Sequence, residues 1–218
     1  MKKLLMVVSG ADSLTLADGT SHPTGYWAEE VVESVRVLRE AGVEVTVATP
    51  GGVVPTVDKA SLDGRFDDAV ASLEDLRAPA TLGEMNAADF DAIYLPGGHG
   101  PMADLAFDQD LGALLADFHD NGKIVAALCH GPAGLLSAVR ADGTFVFAGK
   151  EMTVFTDEEE RQGGVNVAYT VESRLAELGA RLATGAPWSS TVVVDGGLVT
   201  GQNPQSTVAT AARVASLL

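Results

Sequence analysis

Ile124-Val125-Ala126-Ala127-Leu128-Cys129-His130-Gly131-Pro132-Ala133-Gly134-Leu135-Leu136 decides how this chain is read, because it sets the single cysteine between a strand pattern and a helix pattern. The apolar run Ile124–Leu128 follows the turn pair Asn121-Gly122 and reads as a buried strand. Gly131 to Leu136 opens a helix, with Pro132 suited to the first turn. A cysteine at such an elbow projects its sulfur beyond the sheet edge and meets the positive end of the helix, which lowers a thiol pKa. The same logic places the serine of a nucleophile elbow. A buried structural cysteine is the alternative; the neighbouring His130 and the small flanking residues favour a nucleophile.

Outward from this elbow, strand and helix signals alternate, the pattern of a parallel sheet covered on both faces. Strands are expected at Leu4–Ser9, Val43–Ala48, Asp91–Leu95 and Met152–Phe155, with a hairpin of Val192–Val194 and Leu198–Thr200 across Asp195-Gly196-Gly197. A polar loop runs to Thr24. Helices are expected at Tyr26–Ala41, ended by Gly42, at Gln109–Asp120, at Val171–Leu178, ended by Gly179, and at Ser206–Leu217. Residues Pro50 to Met85 lack a clear strand and read as a loop-rich insertion, either a long crossover near the site or a lid. No repeat, low-complexity segment or second-domain linker interrupts the chain, so residues 1–218 read as one domain.

With 218 residues the chain is long enough for a sizeable core, and its hydrophobic fraction of 46% excludes a disordered protein. No apolar run approaches the roughly 18 residues of a membrane span. A formal net charge of −16 argues against nucleic acid and anionic membranes as partners. A lone cysteine forms no intrachain disulfide, which fits a reducing compartment. Met1-Lys2-Lys3 followed by Leu4–Val8 is short for a signal peptide and reads better as a first buried strand. The expected location is the cytoplasm.

Glu30 shares a helical stripe with Ser34, Val37 and Ala41, away from the polar arc of Glu29, Glu33, Arg36 and Glu40. A partly buried carboxyl there has a raised pKa and suits proton transfer near neutrality; a glutamate that merely favours the helix dipole is the alternative. His130 follows the nucleophile, where side chains diverge in a bend; its backbone N–H could meet an oxyanion and its imidazole could shuttle a proton. Gly97-Gly98-His99-Gly100 follows a strand and offers N–H donors for an oxyanion, unless it is a bare turn. It is neither a phosphate loop nor a dinucleotide fingerprint. Thr156-Asp157-Glu158-Glu159-Glu160 places carboxylates at the same rim, where one could orient His130, unless the run is a solvated acidic loop. Cys129 and His130 are not spaced as metal ligands, and His22, His99 and His119 lie on separate elements, so no metal is expected.

These residues together resemble the ThiJ/PfpI superfamily, whose fold is similar to class I glutamine amidotransferase domains. The resemblance covers essentially the whole chain. It rests on Thr24-Gly25-Tyr26-Trp27-Ala28-Glu29-Glu30, Leu95-Pro96-Gly97-Gly98-His99-Gly100, Ala127-Leu128-Cys129-His130-Gly131-Pro132, Phe155-Thr156-Asp157 and Val199-Thr200-Gly201-Gln202-Asn203-Pro204. The first and last of these are similar to the heat-shock chaperone-like branch with glyoxalase III activity. The resemblance implies a flavodoxin-like three-layer α/β sandwich, a homodimer and no cofactor. It makes Cys129 the nucleophile, His130 the catalytic histidine, Glu30 the glutamate that hydrogen-bonds the thiol, and Glu160 or Glu159 the acid that partners the histidine. The family often carries a His-Pro pair shortly after the helix glutamate; here Val31-Val32-Glu33-Ser34 stands instead.

The implied activity is conversion of methylglyoxal and water to lactate without glutathione. Cys129 would form a hemithioacetal, held by N–H groups around Gly97, Gly98 and His130, and Glu30 or His130 would relay the proton. A stress-response holdase or redox sensor is a second expectation, and a cysteine hydrolase (amidase, deglycase or peptidase) a third. Motifs place the nucleophile without deciding what it attacks.

Overall fold

A computed structural model describes residues 1–218. The elements are β1 (Lys3–Val7), β2 (Ser13–Thr15), β3 (Ser21–Pro23), α1 (Ala28–Glu40), β4 (Glu44–Thr49), α2 (Asp67–Ser72), β5 (Ala80–Thr81), β6 (Ala92–Leu95) and α3 (Gly100–Ala103). There follow α4 (Gln109–Asp120), β7 (Ile124–Leu128), β8 (Glu151–Met152), α5 (Asp157–Gly163), α6 (Val171–Glu177), β9 (Arg181–Leu182), β10 (Val192–Asp195), β11 (Leu198–Gly201) and α7 (Thr207–Leu217). Seven strands make one sheet in the order β10-β11-β7-β6-β1-β4-β5. Every pair in it is parallel except the β10–β11 hairpin, which turns at Gly196-Gly197. No helix is long and apolar enough to cross a membrane.

The continuous apolar strands are explained by burial on both faces. Leu5, Val7, Ile93, Leu95, Val125 and Ala127 point to one core, completed by Leu111, Leu115 and Phe118 of α4. The alternate residues Leu4, Met6, Ala92, Tyr94, Ile124 and Ala126 point to the other, closed by Val31, Val35 and Leu38 of α1 and by Ala211 and Val214 of α7. Each fully buried Val, Leu, Ile, Met or Phe side chain among these contributes about 1.5–3 kcal/mol. The result is the three-layer flavodoxin-like α/β fold, with the carboxyl ends of β6 and β7 side by side. Such ends are where open α/β sheets carry their sites.

Three expectations need correction. The segment after Cys129 is a 3₁₀ helix over Gly131–Ser137, not an α-helix. Its glycines pack too closely for a regular helix with side chains: a Cβ on Gly131 would collide with the Leu95 carbonyl, and one on Gly134 would press on Leu95 and Leu111. The strand expected at Met152–Phe155 stops at Met152. Beyond it the Thr153 N–H donates to Thr200 Oγ1 at 2.8 Å and the Phe155 N–H to the Cys129 carbonyl at 3.0 Å, so the segment is tied to the elbow and not to a ladder. The loop before Thr24 contains the β2–β3 hairpin.

Residues 50–85 hold α2, short 3₁₀ turns and the two-residue edge strand β5. Part of this stretch is strapped to the start of α1. The Tyr26 N–H donates to the Thr56 carbonyl and the Asp58 N–H to the Tyr26 carbonyl, both at 2.9 Å. The Ala28 N–H, one of the orphan donors of the first helical turn, is capped by Ser61 Oγ at 3.0 Å.

Because the Leu95 carbonyl lies at the rigid end of a central strand, Gly131→Ala should force a backbone shift. The expected loss is about 1–3 kcal/mol, read as a lower urea midpoint at unchanged slope.

Candidate active site

Cys129 sits at the end of β7 with φ 59°, in the left-handed region that non-glycine residues rarely occupy. The elbow is held from both sides. Its N–H donates to the Gly201 carbonyl at 2.9 Å, and its carbonyl accepts the Phe155 N–H at 3.0 Å. Strain persists where surrounding bonds over-determine it, and here two neighbouring segments do so. The Cys129 side chain is buried at the floor of a cavity of about 740 Å³.

His130 does approach the sulfur: Nδ1 lies 3.3 Å from Cys129 Sγ, where a diverging bend was expected. Its Nε2 meets Glu160 Oε2 at 2.7 Å. The other oxygen, Oε1, meets His99 Nε2 at 2.8 Å. Burial opposes ionisation of Glu160, but the hydrogen bonds from His130 and His99 outweigh it and bring the carboxyl down to about 2. An ionised carboxylate only accepts, so both Nε2 atoms carry protons. Burial, with His99 as a second cause, brings the His130 imidazole down to about 4. A neutral His130 protonated on Nε2 leaves Nδ1 as an acceptor facing the thiol.

The register of the acidic run is thereby fixed, with Glu160 on His130. Glu159 closes a capping box with Thr156 at the start of α5. Its Oε1 accepts from the Trp188 N–H at 2.8 Å and from Asn203 Nδ2 at 2.7 Å, and Gln202 Nε2 is 3.2 Å away.

Glu30 and Ser34 are fully buried on α1, whereas Val37 is half-buried and Ala41 exposed, so the helical stripe holds only for its first turns. Glu30 Oε2 accepts the Gly97 N–H at 2.7 Å. Oε1 has no hydrogen-bond partner of its own, and the thiol of Cys129 lies within interaction range of the carboxyl. Burial pushes the carboxyl up to about 8, against the lowering effect of the thiol and the Gly97 N–H.

The thiol is not depressed in the way its place at a strand-to-helix turn leads one to expect. Burial pushes it up, followed by the charge of Glu30, and the backbone N–H groups of Gly98 and His130 pull the other way. A proton on Glu30 removes the second cause. A neutral carboxyl beside the sulfur can donate to a thiolate that the two amides also face, so proton position on the pair decides whether the sulfur is nucleophilic.

The glycine loop serves more than one neighbour. A Cβ on Gly97 would lie 2.8 Å from Glu30 Oε2, the His130 nitrogen and the Leu128 carbonyl, so only glycine lets these three converge. Its N–H goes to Glu30, the His99 ring goes to Glu160, and the N–H groups of Gly98 and His130 bear on the sulfur. Gly98 has φ 87°.

His99, His130 and Glu160 each offer a ligand atom within 4.8 Å of the others, a set able to hold a divalent ion that the sequence spacing hid. The contacts of 2.7 and 2.8 Å are hydrogen-bond lengths, with a proton between each pair. The aromatic walls of the cavity also escaped the sequence. Phe155 stacks on His130 with centroids 4.3 Å apart and meets Trp188 edge-on at 5.5 Å. Trp188 has no motif around it, and only its positive φ of 59° marks it out.

Residues 23–216 match the DJ-1/PfpI family. The chain is 31% identical to the glutathione-independent glyoxalase HSP31 of Saccharomyces cerevisiae, over 97% of this chain and 96% of that protein. It is 29% identical to the protein/nucleic acid deglycase HchA of Pseudomonas aeruginosa, over 93% of this chain and 76% of that protein. The crystal structure of glyoxalase III from Candida albicans superposes with a TM-score of 0.82 at 27% identity, covering 99% of this chain and 96% of that one.

The Glu30 carboxyl has its ordinary value near 4.5 in an unfolded chain and is held at about 8 in the fold. Between those values only the folded state keeps the proton, so this group's contribution to stability falls as pH rises across the window. Glu30→Gln keeps a neutral group that can accept the Gly97 N–H. The variant should match the native protein at pH ~5 and exceed it in urea midpoint by pH ~8. A difference between the two proteins that does not change with pH would contradict the buried, protonated carboxyl.

Proposed function

The chain belongs to the DJ-1/PfpI family, and from that premise we propose that it is a glutathione-independent glyoxalase, converting methylglyoxal and water to lactate through a covalent adduct on Cys129. The observation that supports this most is the Glu30 carboxyl, buried against the sulfur with one oxygen unpartnered and its pKa near 8. A base poised near neutrality suits abstraction of a proton next to a carbonyl.

The sulfur adds to the aldehyde carbon as its proton passes to His130 Nδ1 and on to the aldehyde oxygen, giving a neutral hemithioacetal. The N–H groups of Gly98 and His130 are placed to stabilise charge on that oxygen during addition. Glu30, in its carboxylate form, takes the hydrogen of the former aldehyde carbon as a proton, leaving an enediolate, whose charged ketone oxygen takes up the proton of the neighbouring hydroxyl. The proton is returned to the neighbouring carbon. The first carbon is thereby oxidised to a thioester and the second reduced to an alcohol, with no external electron acceptor. Water then cleaves the thioester, releasing lactate and the thiol. Glu160 holds His130 in the tautomer that accepts at Nδ1, and is thus a positioning residue.

A deglycase reading, in which the same sulfur attacks a dicarbonyl already attached to another molecule, is supported by the similarity to HchA. A free thiol suits a reducing compartment, and the proposal extends to a cytoplasmic protein. The family resemblance implies a homodimer, which we also propose.

The proposal is tested by lactate formation from methylglyoxal without glutathione. Cys129→Ala should abolish turnover, and Glu30→Gln should lower kcat about 10²–10⁴-fold. If Glu30 is the base, kcat/KM of the native enzyme rises with pH and levels off above about 8, and this rise is absent from the residual activity of Glu30→Gln. A native protein with a reduced thiol and no turnover would overturn the proposal.

A further inference from the structure

Hydrolysis of a thioester on Cys129 needs a base for the attacking water, and His130 is poorly placed to serve it. Its Nδ1 faces the sulfur at 3.3 Å, and its Nε2 is bonded to Glu160 at 2.7 Å. Phe155 and His99 pack against the ring, with centroids 4.3 and 4.1 Å away. Only 3% of the His130 side chain is left accessible.

The next ring outward is His99. It lines the cavity, and its side chain is 12% accessible. Its Nε2 donates to the second oxygen of Glu160 at 2.8 Å, so in the neutral ring the lone pair sits on Nδ1. No protein group bonds that nitrogen. The one polar side-chain atom that is both buried and unpartnered is Glu30 Oε1, so the His99 lone pair is open to water.

Two imidazoles therefore share one carboxylate. A different oxygen of Glu160 holds each ring in the Nε2–H tautomer, which leaves each a basic Nδ1. One lone pair faces the sulfur and the other faces water. A carboxylate that orients a histidine base also stabilises the imidazolium that forms when the base takes a proton. Glu160, ionised and bonded to the opposite edge of the His99 ring, does this for His99 as well as for His130.

We propose that His99 is the base of the hydrolytic step, so that addition and hydrolysis use separate histidines. This rests on the oxoaldehyde reading of Cys129 and Glu30, which supplies the thioester. His99 Nδ1 takes one proton of the water as the water oxygen bonds to the thioester carbon. The C–S bond breaks with its electron pair on sulfur, which takes its proton from the new carboxylic acid. His99 then gives its proton to solvent, and lactate leaves as the anion.

The test follows methylglyoxal consumption and lactate release separately, by rapid mixing, in the native protein, His99→Gln and His99→Ala. Glutamine keeps an N–H for Glu160 and lacks a basic nitrogen. His99→Gln should consume a stoichiometric burst of methylglyoxal and then release lactate about 10²–10⁴-fold more slowly than the native protein. The accumulated thioester should give lactohydroxamate with hydroxylamine, which a hemithioacetal does not. Added imidazole should speed release from His99→Ala. Equal slowing of consumption and release, with no thioester, would confine His99 to positioning Glu160 and overturn the inference. Native kinetics in His99→Gln would overturn it too. So would thioester accumulation in His22→Gln instead, since His22 lines the same cavity with its ring centroid 6.4 Å from that of His99. A second arm places an acetyl group on Cys129 with p-nitrophenyl acetate and follows its loss. No lactate from the native protein, with acetyl loss still dependent on His99, would overturn the oxoaldehyde reading and leave His99 as the hydrolytic base. No lactate and no His99-dependent acetyl loss would overturn both.

Discussion

The left-handed backbone of Cys129 is the constraint from which the site follows. A strand ends and the chain turns in a single residue, so that residue's side chain leaves the sheet instead of packing in it. The turn is unfavourable in isolation and survives because Gly201 and Phe155 grip its amide and carbonyl. Those partners lie at the end of β11 and after β8, so three parts of the chain must be in place before the sulfur is. Close approach then demands glycine at two further positions. Gly131 passes the Leu95 carbonyl, and Gly97 lets Glu30, Leu128 and His130 converge. The two-sided core beneath supplies the rigidity that such close packing requires.

Two glutamates serve the site in opposite protonation states, and their surroundings explain why. Glu160 receives N–H groups from two imidazoles, so its charged form is favoured even though the group is largely buried. Glu30 receives one backbone N–H and the weaker thiol of Cys129 and lies wholly buried, so burial prevails and its neutral form is favoured. Environments that push like groups apart in this way are how two carboxyls of one site come to suit different tasks, as the proposed positioning role of Glu160 and proton-carrying role of Glu30 require. The imidazole between them is neutral, which leaves its Nδ1 lone pair for the thiol. Depth of burial alone would have raised both carboxyls; the count of donors decides the sign.

Periodicity made the central strands, α1, α4 and the elbow legible in the sequence, since those elements bury whole faces and their patterns are strong. Glu30 was legible for the same reason, as a carboxyl on the wrong side of a helix. What failed depended on contacts distant in sequence. Residues 153–155 carry a strand pattern but bond to Thr200 and Cys129, which no local reading reveals. The 3₁₀ turn after Cys129 follows from the Leu95 carbonyl and side chain lying against its glycines. The thiol was expected to be acidified by a helix end; burial and a carboxyl brought by α1 act more strongly and in the other direction. His99 looked like part of an oxyanion loop, and its ring instead completes the donor pair on Glu160. Trp188 carried no signal because its importance lies in a backbone angle and in a carboxylate from α5.

Glu159 and Glu160 show how one helical turn serves both the chemistry and its frame. Consecutive residues on a helix point about 100° apart, so adjacent carboxylates at the start of α5 must address different neighbours. Glu160 turns to His130 and His99, and Glu159 to Trp188, Gln202 and Asn203. The capping box between Thr156 and Glu159 fixes the residue at which the helix begins, and with it which glutamate faces which way. A start one residue later would turn both carboxylates away from their partners, leaving His130 without an acceptor and Trp188 without its anchor. The cap is therefore part of the site's specification, although none of its atoms need touch a substrate.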